Sequence, residues 1–346
     1  MTKQNTALNG GQGYSRFVGN NGFPTGHLLA WSEAYLQRGY LVLYRNTGDA
    51  AYLDTCRAHI AAVRANRDDR RGQRDYLGAL NPTWGTDKYE VPLVRWRFYT
   101  MNDALILVPM LESVLAAGAD PDGLVAEAEQ VMAFHDPEWR GPWYGYPAQY
   151  GGNRVNYPLA LDMQATIGKV EVLLADLTGK PAYRQRAADI LAWVLSQRRV
   201  VNGYTVWPDV RWDDVLLPPH GDPNSTIEWS DTVEFVLMCQ QRGYGVPAEL
   251  LRQLADTAAR LMQTGRLALR CDGVGFGNDP IAGAYLLLAP YDSRIAPRVR
   301  KVLDGLNLRT TLPLLDEAWW GPAMLSVARI SPKAISRGSD RRARPK

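Results

Sequence analysis

The sequence predicts an all-α fold in which helical hairpins form a toroid of two concentric rings. Apolar residues recur at helical spacing almost throughout the 346 residues of the chain. Six segments are strongly apolar, and five of them are followed, after a short turn, by a more polar amphipathic helix. The turns resemble one another in sequence, which indicates an internal repeat of a helical hairpin.

The six apolar segments are predicted to form the inner ring, because a helix that is apolar on most faces must be buried. They span residues 27–49, 100–120, 156–180, 227–245, 278–290 and 316–331. The amphipathic helices that cover the first five span residues 50–68, 121–135, 181–199, 247–263 and 293–306. No sixth outer helix is evident, so we expect a ring that is either incomplete or closed by the N-terminal segment.

The connections differ between the two ends of each hairpin. The short turns, such as "TGDAAYL" and "TGKPAYR", place Gly after the first helix and a small residue or Pro at the start of the second. The links between hairpins are long, as at 67–99 and 136–155, and are rich in Gly, Pro, Trp and Tyr. Linkers in an open α-solenoid are usually short and uniform, so the pattern favours a toroid with its long aromatic-rich links at one end.

Composition and charge narrow the class of protein. The chain is 46% hydrophobic and 22% charged, which is typical of a globular domain with a large core. A net charge of +3 gives no support for a nucleic-acid partner. No apolar run approaches about 20 residues and no apolar segment opens the chain, so we expect neither a membrane partner nor a secretory signal. The three cysteines form no CxxC pair, and a cytoplasmic protein with reduced thiols is expected.

The helical-hairpin pattern predicts one toroid domain over residues 1–335, in which residues 1–26 are an N-terminal extension. Residues 336–346 are predicted to be a basic tail without fixed structure. No GxGxxG follows a strand pattern and no P-loop is present, so no cofactor is expected. The histidines lack metal-ligand spacing, so no metal is expected either. The sequence predicts no particular oligomeric state.

Two stretches carry a resemblance to a known group of enzymes. "WSEAYLQRGYLVLYRNTGDAAYL" and "NYPLALDMQATIGKVEVLLADLTGKPAYRQRAADILAW" resemble the hairpins of the (α/α)6-toroid carbohydrate-active enzymes, namely polysaccharide lyases, uronyl epimerases and six-hairpin glycosidases. The resemblance covers about residues 27–330 and implies an (α/α)6-type toroid that acts on a saccharide. Terpenoid cyclases have a similar toroid, so the fold alone does not choose the chemistry.

Polar residues open every predicted inner helix and should gather at the long-link end. These are Ser32-Glu33, Asn102-Asp103, Asn156-Tyr157 with Asp162, Glu228 with Asp231, Asn278-Asp279 and Asp316-Glu317. Helix capping is the alternative explanation, and "STIE", from Ser225 to Glu228, fits a capping box. Asp231 and Glu234 lie further into the helix and are harder to explain as caps. Hydrolysis needs two carboxylates across the scissile bond, for which the candidates are Asp103, Glu228, Asp231, Asp279 and Glu317.

The tryptophans indicate an aromatic cleft at the same end. Ten of the 11 lie in long links or at inner-helix starts, and only Trp193 lies in an outer helix. Sugar rings stack on such side chains, so Trp143, Trp229, Trp319 and Trp320 are candidate substrate contacts. The alternative is a Trp-rich plug that packs the links together.

Elimination and C5 epimerisation at a uronate are slightly favoured over hydrolysis. Both need a base for the C5 proton, for which Tyr157 and His220 are candidates, and elimination also needs an acid, for which Tyr146 is the candidate. The resemblance implies that Asn156, with Asn153 and Arg154 nearby, neutralises the uronate, although Tyr157 stands where many toroid lyases have His. Basic residues suited to an anionic sugar add to this preference: Arg95, Arg97, Arg140 and Arg154.

Two other functions are weighed against a carbohydrate-active enzyme. A terpenoid-type cyclase would use an aromatic cup and an acidic residue, but "DVRWDD", residues 209–214, lacks the spacing of the cyclase acid motif, and only six Phe are present. The other is a binding scaffold without catalysis. The sequence therefore favours an oligosaccharide or small-molecule substrate held at the long-link end.

Overall fold

The computed structural model describes residues 25–88, 96–146, 157–209 and 223–306, with residues 325, 326, 328 and 329 of the last inner segment. Helices dominate these ranges, so the all-α prediction is confirmed.

The helices occur as hairpins in the predicted order. The inner helices are α1, α3, α5, α7 and α9, and the outer helices are α2, α4, α6, α8 and α10. Helix α1 is continuous but has three parts, Gly26–Leu28, Leu29–Glu33 in π geometry and Ala34–Thr47. The others are α2 Ala50–Ala65, α3 Thr100–Ala117, α4 Leu124–Phe134, α5 Leu161–Thr178, α6 Pro181–Ser196, α7 Thr226–Gln241, α8 Ala248–Leu261, α9 Asp279–Leu288, which is a 3₁₀ helix, and α10 Ile295–Asp304.

Glycine ends three of the inner helices, as the turn sequences predict. Gly48, Gly118 and Gly179 follow α1, α3 and α5 with positive φ and donate their N–H to the carbonyl four residues earlier. A left-handed residue at this place reverses the chain, and glycine adopts it at no steric cost. Each outer helix therefore starts within a few residues and packs antiparallel to its inner partner.

The inner helices pack consecutively, α1 on α3, α3 on α5, α5 on α7 and α7 on α9. Helices α5 and α7 approach each other closely, since a Cβ on Gly168 would lie 2.5 Å from the Phe235 ring. Residues 325, 326, 328 and 329 continue the ring, since the Ser326 hydroxyl accepts a hydrogen bond of 2.7 Å from the Gly283 N–H of α9. The expected closure by the N-terminal segment, residues 1–24, and the tail at 336–346 lie outside the described residues.

An outer helix returns the chain between successive inner helices, so all inner helices run in the same direction. Their N-termini meet the long links, and we call this the link end of the axis. Their C-termini meet the short turns, and we call this the turn end. The position of a residue along its inner helix therefore shows whether it lies nearer the link end or the turn end of the axis.

A short β-hairpin was not predicted. Helix α6 ends at Ser196, and strands β1 Arg199–Val201 and β2 Tyr204–Val206 follow as an antiparallel pair. Asn202 and Gly203 form the turn with φ of 52° and 78°. Asn-Gly between β-branched and aromatic residues is typical of such a turn, so the stretch "RVVNGYTV" indicates a hairpin.

Among the described helices, α3 is long and apolar enough to cross a membrane by length and composition alone. Of that window, 83% is buried inside the fold by neighbouring helices. Because neighbouring helices bury it, we interpret α3 as an inner-ring helix of the toroid.

Candidate active site

Six charged side chains and one tyrosine of the inner ring meet along the axis of the toroid. Each is largely buried, although a buried charge is costly unless it is paired. We call them the axial network: Tyr35, Arg38, Glu112, Lys169, Asp231, Glu234 and Arg329.

Asp231 occupies the part of the network nearer the link end. The Tyr35 hydroxyl donates to its Oδ2 at 2.8 Å, and Lys169 Nζ donates to its Oδ1 at 3.0 Å. Lys169 is fully buried and Asp231 is 5% exposed. A carboxylate that accepts from an ammonium and a hydroxyl is suited to a buried, charged state. The surroundings also raise the pKa of Tyr35 well above its usual value, through burial first and Asp231 second.

Glu234 lies one turn further along α7 and is held by three cations. Arg38 donates to its Oε1 at 2.7 Å, Arg329 to the same atom at 2.5 Å, and Lys169 to Oε2 at 3.4 Å. Burial acts to raise the pKa of Glu234, but the three cations outweigh it and hold the pKa well below its usual range. Glu234 is therefore a fixed anion that organises the centre of the network.

Two more carboxylates lie at the link end, in the first turns of α5 and α7. Burial raises the pKa of Asp162 well above its usual value, and the negative charges of Glu228, Asp209 and Asp231 add to the effect. Burial likewise raises the pKa of Glu228, with Asp209 as the next cause. Asp162 is 3% exposed, and its Oδ1 has no hydrogen-bond partner. The link end therefore holds carboxyl groups that favour the protonated form beside one, Asp231, that is bound by a cation.

The capping prediction for Glu228 is confirmed. The Ser225 side chain accepts from the Glu228 N–H at 3.4 Å, and Glu228 Oε2 accepts from the Ser225 N–H at 3.0 Å. Asp231 and Glu234 take part in the axial network instead, as their depth in the helix suggests.

Tyr146 and Tyr157, predicted as acid and base, are neighbours across two short segments. The Tyr146 N–H donates to the Tyr157 carbonyl at 3.2 Å, and Gly145 pairs with Pro158. The Tyr157 hydroxyl is buried without a hydrogen-bond partner. Both tyrosines precede α5, so they belong to the link end.

Two other predicted carboxylates have hydrogen-bond partners within the protein. Asp103 is fully buried and accepts from the Trp84 N–H at 3.0 Å, and its Oδ2 lies 2.8 Å from His135 Nε2. Asp279 pairs with Arg266 at 2.5 Å and accepts from the Leu267 N–H at 2.6 Å. Both carboxylates are held by residues at the link end, and their contact with substrate stays a prediction.

Trp229 was expected to face a cleft but packs in the core. It has no exposed surface, stacks at an angle on Trp207 and Tyr285, and donates its indole N–H to the Thr205 carbonyl at 3.1 Å. For this tryptophan the alternative interpretation, a packed plug, is the correct one. Trp143 is half-buried and in reach of solvent.

The arginines in the described links are engaged locally. Arg97 lies 4.5 Å above the Tyr76 ring and is 6% exposed, and its backbone pairs with Thr86. Arg140 donates to the Pro137 carbonyl at 2.5 Å. These contacts hold the links together, and neither residue takes part in the axial network. The remaining predicted site residues lie outside the described residues: Arg95, Asn153, Arg154, Asn156, His220, Glu317, Trp319 and Trp320.

Sequence reasoning missed the basic half of the axial network and Tyr35. Lys169, Arg38 and Arg329 each interrupt an inner helix, where a solvated charge has no place. A charged residue in the middle of a predicted inner helix indicates a buried ion pair, and this pattern could have identified all three residues. Within the described ranges, no group of three or more His, Cys, Asp or Glu could hold a metal ion.

The sequence matches no protein-family model and no curated protein. Solved structures with the same fold include the cellobiose 2-epimerase of Bacillus thermoamylovorans B4167, at 11% identity and a TM-score of 0.59 over 89% of this chain and 88% of that one. A polysaccharide lyase matches at 13% identity and a TM-score of 0.54, over 91% and 92% of the two chains. An inactive variant of the α-1,6-mannanase of Salegentibacter sp. HEL1_6, with two aspartates replaced by alanine and α-1,6-mannotetrose bound, matches at 14% identity, 96% coverage of both chains and a TM-score of 0.53. The chain therefore has the (α/α)6-toroid fold on which these carbohydrate-active enzymes are built.

Proposed function

We propose that this protein is a carbohydrate-active enzyme that cleaves a glycosidic bond with the carboxyl groups at the link end of the toroid axis. The observation that carries the proposal is the contrast between Asp231 and Asp162. Asp231 is paired with Lys169 and Tyr35, whereas Asp162 lies in a buried, negatively charged setting that raises its pKa.

Glycoside hydrolysis needs one protonated and one ionised carboxyl group. One carboxylic acid must carry a proton near neutral pH and deliver it to the leaving oxygen, and a second must be ionised to attack the sugar or activate water. Asp162 fits the acid because burial and neighbouring negative charge favour its protonated form. Asp231 fits the ionised partner because Lys169 balances its charge. Glu228, whose negative charge acts on Asp162 and whose own pKa is raised by burial, is the alternative acid.

Two observations support a saccharide as the substrate: the fold, and the polar side chains at the link end. Three similar structures are an epimerase of cellobiose, a polysaccharide lyase and a mannanase. The mannanase loses activity when two aspartates are replaced, which supports carboxylate chemistry on this fold. The carboxyl groups of α5 and α7, and the tyrosines of the link before α5, also offer the hydrogen-bond donors and acceptors that sugar hydroxyls require.

Elimination or C5 epimerisation at a uronate is the second candidate. The buried Tyr157 hydroxyl, which has no hydrogen-bond partner, favours it as a base, and Tyr146 is its backbone neighbour. In that reaction Lys169 and Tyr35 would act only indirectly, because they hold Asp231 rather than face the sugar carboxylate.

One panel separates these reactions. Purified protein is incubated with neutral and uronate-containing oligosaccharides, and reducing ends, ultraviolet absorbance and exchange of the C5 proton are followed. We expect new reducing ends without absorbance, and product NMR at the anomeric carbon then gives the stereochemistry. Absorbance from an unsaturated uronate would replace hydrolysis by elimination, and proton exchange alone would replace it by epimerisation. No change in any readout would contradict the proposal.

A further inference from the structure

Three aromatic rings follow one another along the first turns of α1. The ring centroids of His27 and Trp31 are 6.5 Å apart, and those of Trp31 and Tyr35 are also 6.5 Å apart. Side chains four residues apart on a helix are neighbours on one face. The π turn Leu29–Glu33 lies within this stretch, and such turns occur frequently at functional sites. The three rings therefore form a ladder on a single face of α1.

The ladder faces the axis of the toroid. Tyr35, at its inner end, donates its hydroxyl to Asp231 of α7. Glu33 marks the opposite face of α1, because its carboxylate lies 2.6 Å from His59 of the outer helix α2. Side chains two residues apart on a helix point in nearly opposite directions. Trp31, two residues before Glu33, is therefore directed towards the axis.

Trp31 also lies at the level of a candidate carboxyl group. Helices α1 and α7 are the first and fourth of the inner segments, so they face each other across the axis. From the contact between Tyr35 and Asp231, Trp31 lies four residues nearer the link end on α1, and Glu228 lies three residues nearer on α7. At about 1.5 Å per residue, these offsets are about 6 Å and about 4.5 Å. Trp31 is therefore opposite Glu228.

Exposure distinguishes Trp31 from the other rings of the ladder. His27 is 6% exposed and Tyr35 is 3% exposed, whereas Trp31 is half-buried. An accessible indole that faces a polar axis leaves apolar surface in water, which a ligand would cover. The C–H face of a pyranose ring suits an aromatic ring, and the sugar hydroxyls suit carboxyl groups. The two walls of the axis therefore offer the two kinds of contact that a sugar ring needs.

The wall opposite Trp31 is acidic. Among the described residues, neither Asp162 nor Glu228 forms an ion pair. Lys169 is already paired with Asp231 and Glu234. The carboxylate of a uronate would bring a further negative charge to this wall, where like charges repel in a partly desolvated site. The electrostatics therefore favour a neutral sugar.

We propose that Trp31 is a substrate-binding residue, which packs against the C–H face of a neutral pyranose ring held opposite Glu228 and Asp162. This inference rests on the proposed function, because it takes the link-end carboxyl groups as those that act on the sugar. It adds the aromatic contact of the site and narrows the substrate to a neutral saccharide.

Protection of Trp31 from oxidation tests the contact without any need for turnover. The full chain is treated with limiting N-bromosuccinimide, and mass spectrometry of peptides locates the oxidised tryptophans. The probes are cellotetraose and α-1,6-mannotetraose, with tetragalacturonate for comparison, each at about 10 mM. We expect at least one neutral probe to slow the oxidation of Trp31 several-fold, and the acidic probe to protect it less. Trp193, half-buried on the outer helix α6, should be oxidised at the same rate with every probe.

Variants measure what the contact contributes. Trp31→Ala should raise the KM of the protecting sugar about tenfold and leave kcat within about threefold, because stacking acts in the ground state and the transition state alike. Trp31→Phe keeps an apolar ring and should recover most of the loss. Trp193→Ala removes an equally half-buried tryptophan from the outer ring and should change neither constant. Thermal melts establish that each variant is folded.

The outcomes separate this inference from the proposed function. Protection of Trp31 without turnover of any sugar would contradict the proposed hydrolysis and support the contact. Oxidation of Trp31 at the same rate with and without every probe would overturn the contact, and new reducing ends would in that case leave the hydrolysis in place. Stronger protection by tetragalacturonate, an unreactive Trp31 in the free protein, or equal KM in Trp31→Ala and Trp193→Ala would also overturn the inference.

Discussion

Lys169, which has no exposed surface, donates to Asp231 at 3.0 Å across the interface between α5 and α7. The same ammonium lies 3.4 Å from Glu234. One buried cation therefore joins the link-end carboxylate to the cluster of arginines at the centre of the axis.

Replacement of Lys169 tests the energetic role of the axial network. Lys169→Met leaves Asp231 without a counter-charge in the interior, which should lower the free energy of unfolding by about 3–5 kcal/mol. Urea denaturation measures the difference. Lys180→Met is the matched control, because Lys180 is 58% exposed and its pair with Glu129 should contribute less than about 1 kcal/mol. Equal effects of the two variants would show that the buried pair is not stabilising.

Glu228 serves both as a cap and as a candidate acid, and two substitutions separate these roles. Gln retains the capping box, so Glu228→Gln should keep the melting temperature close to that of the native protein. Glu228→Ala should cost about 0.5–2 kcal/mol of stability. If both variants lose activity to the same extent, the carboxyl group itself is needed. Full activity in Glu228→Gln would restrict Glu228 to capping and leave Asp162 as the acid.

The pKa of Asp162 is raised in the folded state, and this predicts the sign of a pH effect. The folded protein holds this proton more tightly than the unfolded chain, so the stabilising contribution is complete below the usual pKa of aspartate. It is lost as pH rises through the raised pKa. Asp162→Asn should therefore reduce the fall in stability towards alkaline pH.

Thermal melts between pH 4 and 9 measure this difference against the native protein. Asp292 provides a control of opposite sign, because its hydrogen bond with Arg294 lowers its pKa. Asp292→Asn should remove a contribution that is present at neutral pH and is lost as pH falls. A difference for Asp162→Asn that is independent of pH would contradict the buried, negatively charged setting of this residue.

Gly168 tests the contact between the two helices that carry the site. A Cβ at this position would lie 2.5 Å from the Phe235 ring, so Gly168→Ala should destabilise the fold by about 1–3 kcal/mol. A second change, Phe235→Leu, makes room, and the double variant should be more stable than the sum of the two single effects predicts. Additive effects would mean that α5 and α7 are further apart than described.

The ring architecture could be predicted from sequence because burial and helical period act together over long segments. The alternation of an apolar segment with an amphipathic helix placed α1 to α10 in the right order, and glycine marked the ends of α1, α3 and α5. Helix ends were less well predicted. The outer helix after α5 stops at Ser196 because the Asn-Gly turn at 202–203 gives the chain a hairpin instead.

The site was predicted only in part, since its geometry depends on contacts between distant helices. Glu228 and Asp231 were identified because two carboxylates open an otherwise apolar helix. Lys169 and Tyr35 could not be connected to Asp231 from sequence, as they come from α5 and α1 and meet it only when the ring is assembled. The Trp229 interpretation was wrong because position at the link end does not distinguish a lining ring from one that is packed beneath it.

The most direct test of the central claim is the kcat/KM of Asp231→Asn on the substrate that the panel identifies. Asn keeps the size of the side chain but removes the charge, so we predict a loss of about 10³-fold or more. Glu171→Gln is the control, since Glu171 is a fully buried carboxylate of α5 that accepts from the Tyr144 hydroxyl at 2.8 Å, outside the axial network. It should keep kcat/KM within a few-fold of the native value. A folded Asp231→Asn protein with native kcat/KM, or equal losses in the two variants, would contradict the account.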